Sequence, residues 1–295
     1  MLQSLWQFSR PHTIYGTTVS LVGLYLLALG KEAFQLSYLL ALWLGLLACL
    51  AANVYIVGLN QLLDIEIDKI NKPYLPLAAG TLTSQQGLIT VVVSGILGIL
   101  LSLTEIPYLF LTVGISSLIG TAYSLPPLRL KRFPVTAALC IYSVRGTIVN
   151  FGLYAYFCSL KPDPVTFSAP IVVLTLFISV FGLVIAIFKD IPDMEGDRAF
   201  QISTFSLRWG KDVVFHSSVV LLSICYLGML VSGLILLPEA DGRVVTIIHL
   251  LGLGILVKAW KGTSTNDDIA LTQFYRLIWK LFYLEYLLYP LAFLI

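Results

Sequence analysis

The chain has 295 residues, of which 58% are hydrophobic and only 12% charged, against roughly 25% charged in ordinary soluble domains. A water-soluble globule is excluded. A net charge of +2, with no Lys/Arg block interleaved with aromatics, also argues against nucleic acid as a partner and leaves membrane lipid.

The opening residues, MLQSLWQFSRPH, lack a basic n-region, and no small-residue cleavage site follows them, so no removable segment is expected. Apolar runs punctuated by Gly, Pro and charge then predict helices over Thr13–Leu29, Ser37–Leu63, Gln85–Leu103, Tyr108–Tyr123 and Val135–Phe157. Four more are predicted over Phe167–Phe188, Val213–Leu237, Val244–Trp260 and Ile269–Leu294. The expected architecture is all-α: a single polytopic membrane domain over 1–295, about nine transmembrane helices arranged as two similar four-helix halves plus a ninth around a central cavity. Cys49, Cys140, Cys158 and Cys225 each sit in an apolar run without CxxC pairing, and read as inert thiols.

Basic residues collect in alternate connections: Lys69 and Lys72, then Arg129, Lys131 and Arg132, then Arg198, Arg208 and Lys211, with Lys258 and Lys261 on the same side. The opposite connections hold only Lys31, Lys161 and Arg243. The positive-inside rule therefore predicts a cytoplasmic N-terminus and places both acidic clusters on the cytoplasmic side.

Those clusters are NQLLDIEID, Asn60 to Asp68, and KDIPDMEGD, Lys189 to Asp197, about 130 residues apart. On a continuous helix Asn60, Asp64 and Asp68 fall on one face, each about 6 Å further along the axis. Asp190, Asp193 and Asp197 also share a face, and Glu66 and Glu195 fall off it. Carboxylates at hydrocarbon-bordering helix ends are costly unless compensated. Hard oxygen ligands select Mg2+, which typically joins one or two carboxylates to substrate phosphate. The simplest joint occupant is a diphosphate clamped by Mg2+ between the clusters; the plainer alternative is a solvated acidic edge balanced by Lys69, Lys72, Lys189 and Arg198.

Other candidates are individually weaker. The Pro-Pro break in YSLPPLRLKR, Tyr123 to Arg132, leads into three cations, which either hold diphosphate oxygens or form a plain positive-inside loop. Arg145 lies inside the fifth predicted helix, where a cation is usually functional or paired; an Arg145–Glu285 pair is its structural alternative. His12, His216 and His249 have no metal-ligand spacing.

At these motifs the chain resembles the UbiA-type intramembrane prenyltransferases, with their NxxxDxxxD and DxxxD signatures. NVYIVGLNQLLDIEIDKINKPYLPLAAG, GTAYSLPPLRLKRFP, VIAIFKDIPDMEGDR and FYRLIWKLFYLEYLLYPL resemble the homogentisate phytyltransferase branch in particular, from Phe8 to the C-terminus. The resemblance implies transfer of a phytyl group from phytyl diphosphate to homogentisate with loss of CO2 and diphosphate. The product is 2-methyl-6-phytyl-1,4-benzoquinol, on the route to tocopherol (vitamin E). It also implies Mg2+ as cofactor, with Asn60, Asp64, Asp68, Asp193 and Asp197 as metal and diphosphate ligands, Asp190 as an additional one, and Tyr123 and Lys131 touching the diphosphate. Lys72, Arg129, Arg132, Lys189 and Arg198 are further substrate-binding candidates; by their depth in the fifth predicted helix alone, and not by the resemblance, Arg145 or Asn150 would hold the homogentisate carboxylate. A bacterial plasma or thylakoid membrane of cyanobacterial type is implied as the setting. PPLRLKRFP and VRGTIVNFG also resemble homogentisate solanesyltransferases, so geranylgeranyl or solanesyl donors stay open, as do other aromatic acceptors. An ion-coupled transporter is the non-enzyme alternative, although the acids crowd one face and not the midplane. Nothing in the sequence sets an oligomeric state.

Overall fold

The computed structural model describes residues 1–238 and 240–295. A short amphipathic helix, α1 (Leu2–Phe8), precedes α2 (Pro11–Leu29), which opens with Pro at a first helical position, where its missing N–H costs nothing. α3 (Leu36–Leu63) stops at Asp64, whose backbone (φ −119°, ψ 17°) is not helical, and α4 (Ile65–Asn71) restarts beyond it. α5 (Ser84–Ser102) begins with a Thr83/Gln86 capping box, which satisfies two backbone donors reciprocally. α6 (Tyr108–Ser124) leads into the basic connection.

The fifth predicted helix is one rod in three parts: α7 (Pro134–Ile141), a π-helical segment (Tyr142–Ile148) and α8 (Val149–Cys158). α9 (Ala169–Phe188) is followed by the single-turn α10 (Met194–Ala199). α11 (Phe205–Ile235) contains a kink at Gly210, at φ 84° where a side chain would be strained. α12 (Gly242–Gly262) and α13 (Asp268–Leu288) each start from an aspartate N-cap, Asp241 or Asp267, accepting two backbone N–H groups.

Seven helical stretches among the described residues are long and apolar enough to cross a membrane. α6 and α13 occupy the fourth and ninth predicted positions; α6 is 17 residues long, about 26 Å at 1.5 Å per residue, and α13 carries Arg276, Lys280 and Glu285. The architecture is all-helical, and the chain is a multi-pass membrane protein.

The core sits on α9, where Ile171, Leu174, Ile178, Phe181, Val184 and Phe188 are all fully buried. Apolar all round, α9 is the central helix. The outer helices instead expose large apolar side chains, such as Leu40 and Trp43 on α3 and Ile96 on α5, as a lipid-facing surface does. α13 packs on both α2 and α9, which closes the ring of helices around one cavity.

Candidate active site

Both acidic clusters open onto that cavity, of about 330 Å3, and Asn60, Asp64, Asp68, Asp190, Asp193 and Asp197 all line it. They do not form two helical stripes, as the spacing had predicted. The break at Asp64 turns α4 away from the axis of α3, so Asn60 lies on α3, Asp64 at the joint and Asp68 on α4. In the second cluster Asp190 and Asp193 lie in the turn between α9 and α10, and Asp197 lies on α10. Two loops thus bend the acids over the mouth where straight helices would have carried them past it.

The halves are joined directly. Lys72 Nζ lies 2.5 Å from Asp193 Oδ2, and the Gly196 N–H donates to Asn71 Oδ1 at 2.8 Å, so α4 and α10 clasp one another. Gly196 is needed for this approach, since a Cβ there would come within 2.5 Å of Asn71 Oδ1.

Cations surround the acids. Asp64 accepts from Arg129 at 3.1 Å through Oδ1, and through Oδ2 from Lys131 and from Asn60 Nδ2 at 2.9 Å. Lys189 pairs with Asp190 at 2.5 Å, with Tyr123 beside it. Burial would lower the Lys189 ammonium, but Asp190 and Asp193 hold it well above the usual lysine range. Burial lowers the Lys131 ammonium, against the opposing pull of Asp64.

Burial also pushes the Asp68 carboxyl up to about 6, despite Arg10 and Lys72. It pushes Asp197 up to about 7, helped by the charges of Asp190 and Asp193. These carboxylates therefore lack part of the positive charge that their burial requires. Asp68 Oδ2 and Asp193 Oδ1 are buried with no hydrogen-bond partner. Among the described residues no group of three or more His, Cys, Asp or Glu converges into a closed metal cage. The first cluster offers two carboxylates, Asp64 and Asp68, and the second three, Asp190, Asp193 and Asp197, of which Mg2+ needs one or two when phosphate oxygens and water complete its shell. The two orphaned oxygens and the open donor set fit such an ion.

Several residues fall elsewhere. Arg132 is exposed outside the cavity, and Arg198 lines a separate surface pocket with Glu195 and Lys211. Glu66 pairs with Lys69 at 2.7 Å on the exposed side of α4. Asn150 is fully buried, and its amide is engaged by the carbonyls of Arg145 and Gly146 and by the Tyr286 hydroxyl. The Arg145–Glu285 pair does not form: Glu285 bonds His249 Nε2 at 3.2 Å, while the Arg145 guanidinium lies over the Trp279 ring at 4.8 Å. His249 is thus the partner of a buried acid, which its isolation in the sequence concealed.

Arg10, His12, Asn53 and Asn71 also line the cavity, and sequence reasoning passed over Arg10, Asn53 and Asn71. Arg10 reaches Asn60 Oδ1 at 3.5 Å from a left-handed backbone (φ 52°), with its Nε buried and unpartnered. The Arg-Pro step before α2 was its only signal. Cys49 and Cys140 line the cavity too, so they are not simply packed or lipid-facing. Deeper in, the walls become apolar and aromatic, with Ile56, Val113, Tyr275, Trp279, Phe282 and Tyr286.

Residues 17–282 match the UbiA prenyltransferase family. The chain is 48% identical over 294 residues to the homogentisate phytyltransferase of Synechocystis sp., covering 99% of this chain and 96% of that one. It is 41% identical over 293 residues to the chloroplastic homogentisate solanesyltransferase of Arabidopsis thaliana, covering 97% of this chain and 75% of the relative. The fold matches that of a UbiA homologue from Archaeoglobus fulgidus solved with GPP and Mg2+, at a TM-score of 0.67 and 17% identity over 99% of both chains. With its two acidic clusters at the mouth of an intramembrane cavity, the chain belongs to the UbiA prenyltransferase family.

Proposed function

We propose that the protein is a Mg2+-dependent prenyltransferase that moves a phytyl group from phytyl diphosphate to homogentisate, with loss of diphosphate and CO2. The observation that carries this reading is the convergence of both acidic clusters, with their cations, on the mouth of a cavity whose depth is apolar and aromatic. The polar mouth suits a diphosphate and the interior an isoprenoid chain. The name of the Synechocystis relative supports the choice of substrates.

On this reading Asn60, Asp64, Asp68, Asp190, Asp193 and Asp197 hold the metal at the mouth. Mg2+ there would supply Lewis-acid neutralisation of the diphosphate. Lys72, Arg129, Lys131 and Lys189, already placed against these acids, take diphosphate oxygens as hydrogen-bond donors. Preorganised positive charge of this kind favours heterolysis of the allylic C–O bond, whose electron pair leaves with the diphosphate. Tyr275, Trp279 and Phe282 exclude water from the allylic cation and face it with π-electron density. A ring carbon of homogentisate supplies the electron pair of the new C–C bond, and loss of its proton restores aromaticity. The side chain loses CO2, and the benzylic carbon keeps the electron pair and takes a proton to become the methyl group.

The solanesyltransferase relative favours a second reading with a longer donor and the same chemistry. Residues 1–295 act as one catalytic unit, and the Lys/Arg distribution supports a cytoplasmic N-terminus and mouth in a bacterial membrane. Product masses from homogentisate incubated with phytyl, geranylgeranyl and solanesyl diphosphates, with and without Mg2+, test acceptor, donor and metal together. Prenylated methylbenzoquinol only when Mg2+ is present, with phytyl preferred, is the expected result. Substrate flux across proteoliposomes without any prenylated product would overturn the reading in favour of a transporter.

A further inference from the structure

The acids and cations at the mouth account for a diphosphate, but they leave Arg145 without a task. Arg145 projects into the cavity from the π-helical segment Tyr142–Ile148. Single π turns widen a helix and release carbonyls from their regular donors, and they recur at functional sites. Here Asn150 Nδ2 donates to the carbonyls of Arg145 at 2.9 Å and Gly146 at 2.6 Å, while the Tyr286 hydroxyl donates to Asn150 Oδ1 at 2.8 Å. On the far side Gly146 touches α9 so closely that a Cβ would come 2.4 Å from Ser179 Oγ. The widened turn is therefore pinned by α8, α13 and α9.

What this pinned turn presents is a guanidinium with no counter-ion. Among the described residues no carboxylate lies within ion-pair distance of Arg145, because Glu285 is taken by His249. The guanidinium lies over the face of Trp279, with Tyr275, Tyr283 and Tyr286 as uncharged neighbours, and it lines the cavity. A cation held among spanning helices is costly unless an anion or dipole answers it. The planar fork of arginine matches a carboxylate in two parallel hydrogen bonds.

We propose that Arg145, held over the face of Trp279, forms a carboxylate subsite for an aromatic acid acceptor. Asn150 and Tyr286 are positioning residues that hold the π turn. The inference rests on the function proposed above, where the acid is homogentisate, and assigns its side-chain carboxylate to this wall. The subsite holds the acceptor only while it is an acid. Once the C–C bond to the carboxylate breaks and CO2 leaves, the product is neutral and the subsite releases it.

The test uses the full chain in detergent or nanodiscs and measures direct binding of homogentisate as well as the KM for homogentisate and for phytyl diphosphate. Arg145→Gln is expected to weaken homogentisate binding at least tenfold and leave the donor KM unchanged, with partial recovery in Arg145→Lys. The wild type should bind homogentisate at least tenfold more tightly than its methyl ester, a comparison that stands as a second arm if Arg145→Gln fails to fold. Asn150→Ala should raise the homogentisate KM without changing the donor KM, a split that general destabilisation does not produce. Homogentisate methyl ester should bind the wild type and Arg145→Gln equally. Unchanged homogentisate binding in Arg145→Gln, equal wild-type binding of the acid and its methyl ester, or a rise confined to the donor KM, overturns the subsite. A wild type that binds the acid through Arg145 but prenylates no aromatic acid leaves the subsite standing and removes only the proposed reaction.

Discussion

Lys72 just after α4 and Asp193 just before α10, 121 residues apart in sequence, meet at 2.5 Å and tie the two halves of the protein together across the cavity mouth. The pair is partly exposed, so its contribution to stability is small, about 0–1 kcal/mol. Its effect belongs to function, because it sets the separation of the two acidic clusters. Lys72→Met is therefore expected to leave the melting temperature within a few degrees of wild type and to raise the donor KM about tenfold. Thermal unfolding and steady-state kinetics on one detergent preparation check both. A large loss of stability with unchanged KM would show that the contact is merely structural.

Beside that pair, the Gly196 N–H donates to Asn71 Oδ1 in a space that no side chain can share. Gly196→Ala must push the Asn71 amide aside and lose this hydrogen bond, which costs about 1 kcal/mol of local clasp stability. Asn71→Ala removes the same bond without adding a clash. Both variants should lose donor affinity, Gly196→Ala more than Asn71→Ala, because the added methyl also parts α4 from α10. Amide hydrogen exchange over residues 65–71 and 194–199 should quicken in both and stay unchanged on α9.

Helix positions and both acidic clusters were legible because apolar run length and charge report directly on burial in lipid. The bends that make the clusters useful were not. QLLDIEIDKIN contains neither Gly nor Pro, so nothing marked the break at Asp64 that turns Asp68 across the mouth. Arg145 and Glu285 suggested a pair because each is a charged residue inside a predicted spanning helix, but that says nothing of direction around the helix. The π segment resets the phase of its own rod, and Glu285 instead faces His249 on α12. The same phase shift explains Asn150: read as a deep polar residue free for substrate, it is used up by the carbonyls that the π turn releases.

The His249–Glu285 contact is fully buried among Phe177, Tyr226 and Cys225, away from the acidic mouth. Removing one partner strands the other among apolar side chains, at a cost of about 3 kcal/mol. Glu285→Ala and His249→Ala are each expected to lower the melting temperature clearly. The double variant His249→Phe with Glu285→Leu, close to the original volume, should recover most of the loss and retain turnover. If the stable double variant were inactive, the pair would have a role beyond packing.

Lys131 is buried against Asp64, which also accepts from Arg129 and Asn60, so both oxygens of that carboxylate are occupied. A divalent ion and a diphosphate cannot enter this arrangement unless Lys131 changes partner, moving its N–H donors from the carboxylate to a phosphate oxygen. The lysine then acts twice: it neutralises Asp64 before substrate arrives and supports charge on the leaving group afterwards. The second action is realised most fully in the transition state, so its removal should appear mainly in kcat. Lys131→Ala is expected to lower kcat by roughly a hundredfold or more, the scale for loss of one preorganised donor to a developing anion. With Asp64 freed from its cation, the same variant should need no more Mg2+ for half-maximal rate than wild type, and Lys131→Arg should restore part of the rate. Single-turnover rates across a Mg2+ titration separate the two effects. A variant whose only defect was a raised Mg2+ requirement would assign Lys131 to the metal site and remove it from the chemistry of the leaving group.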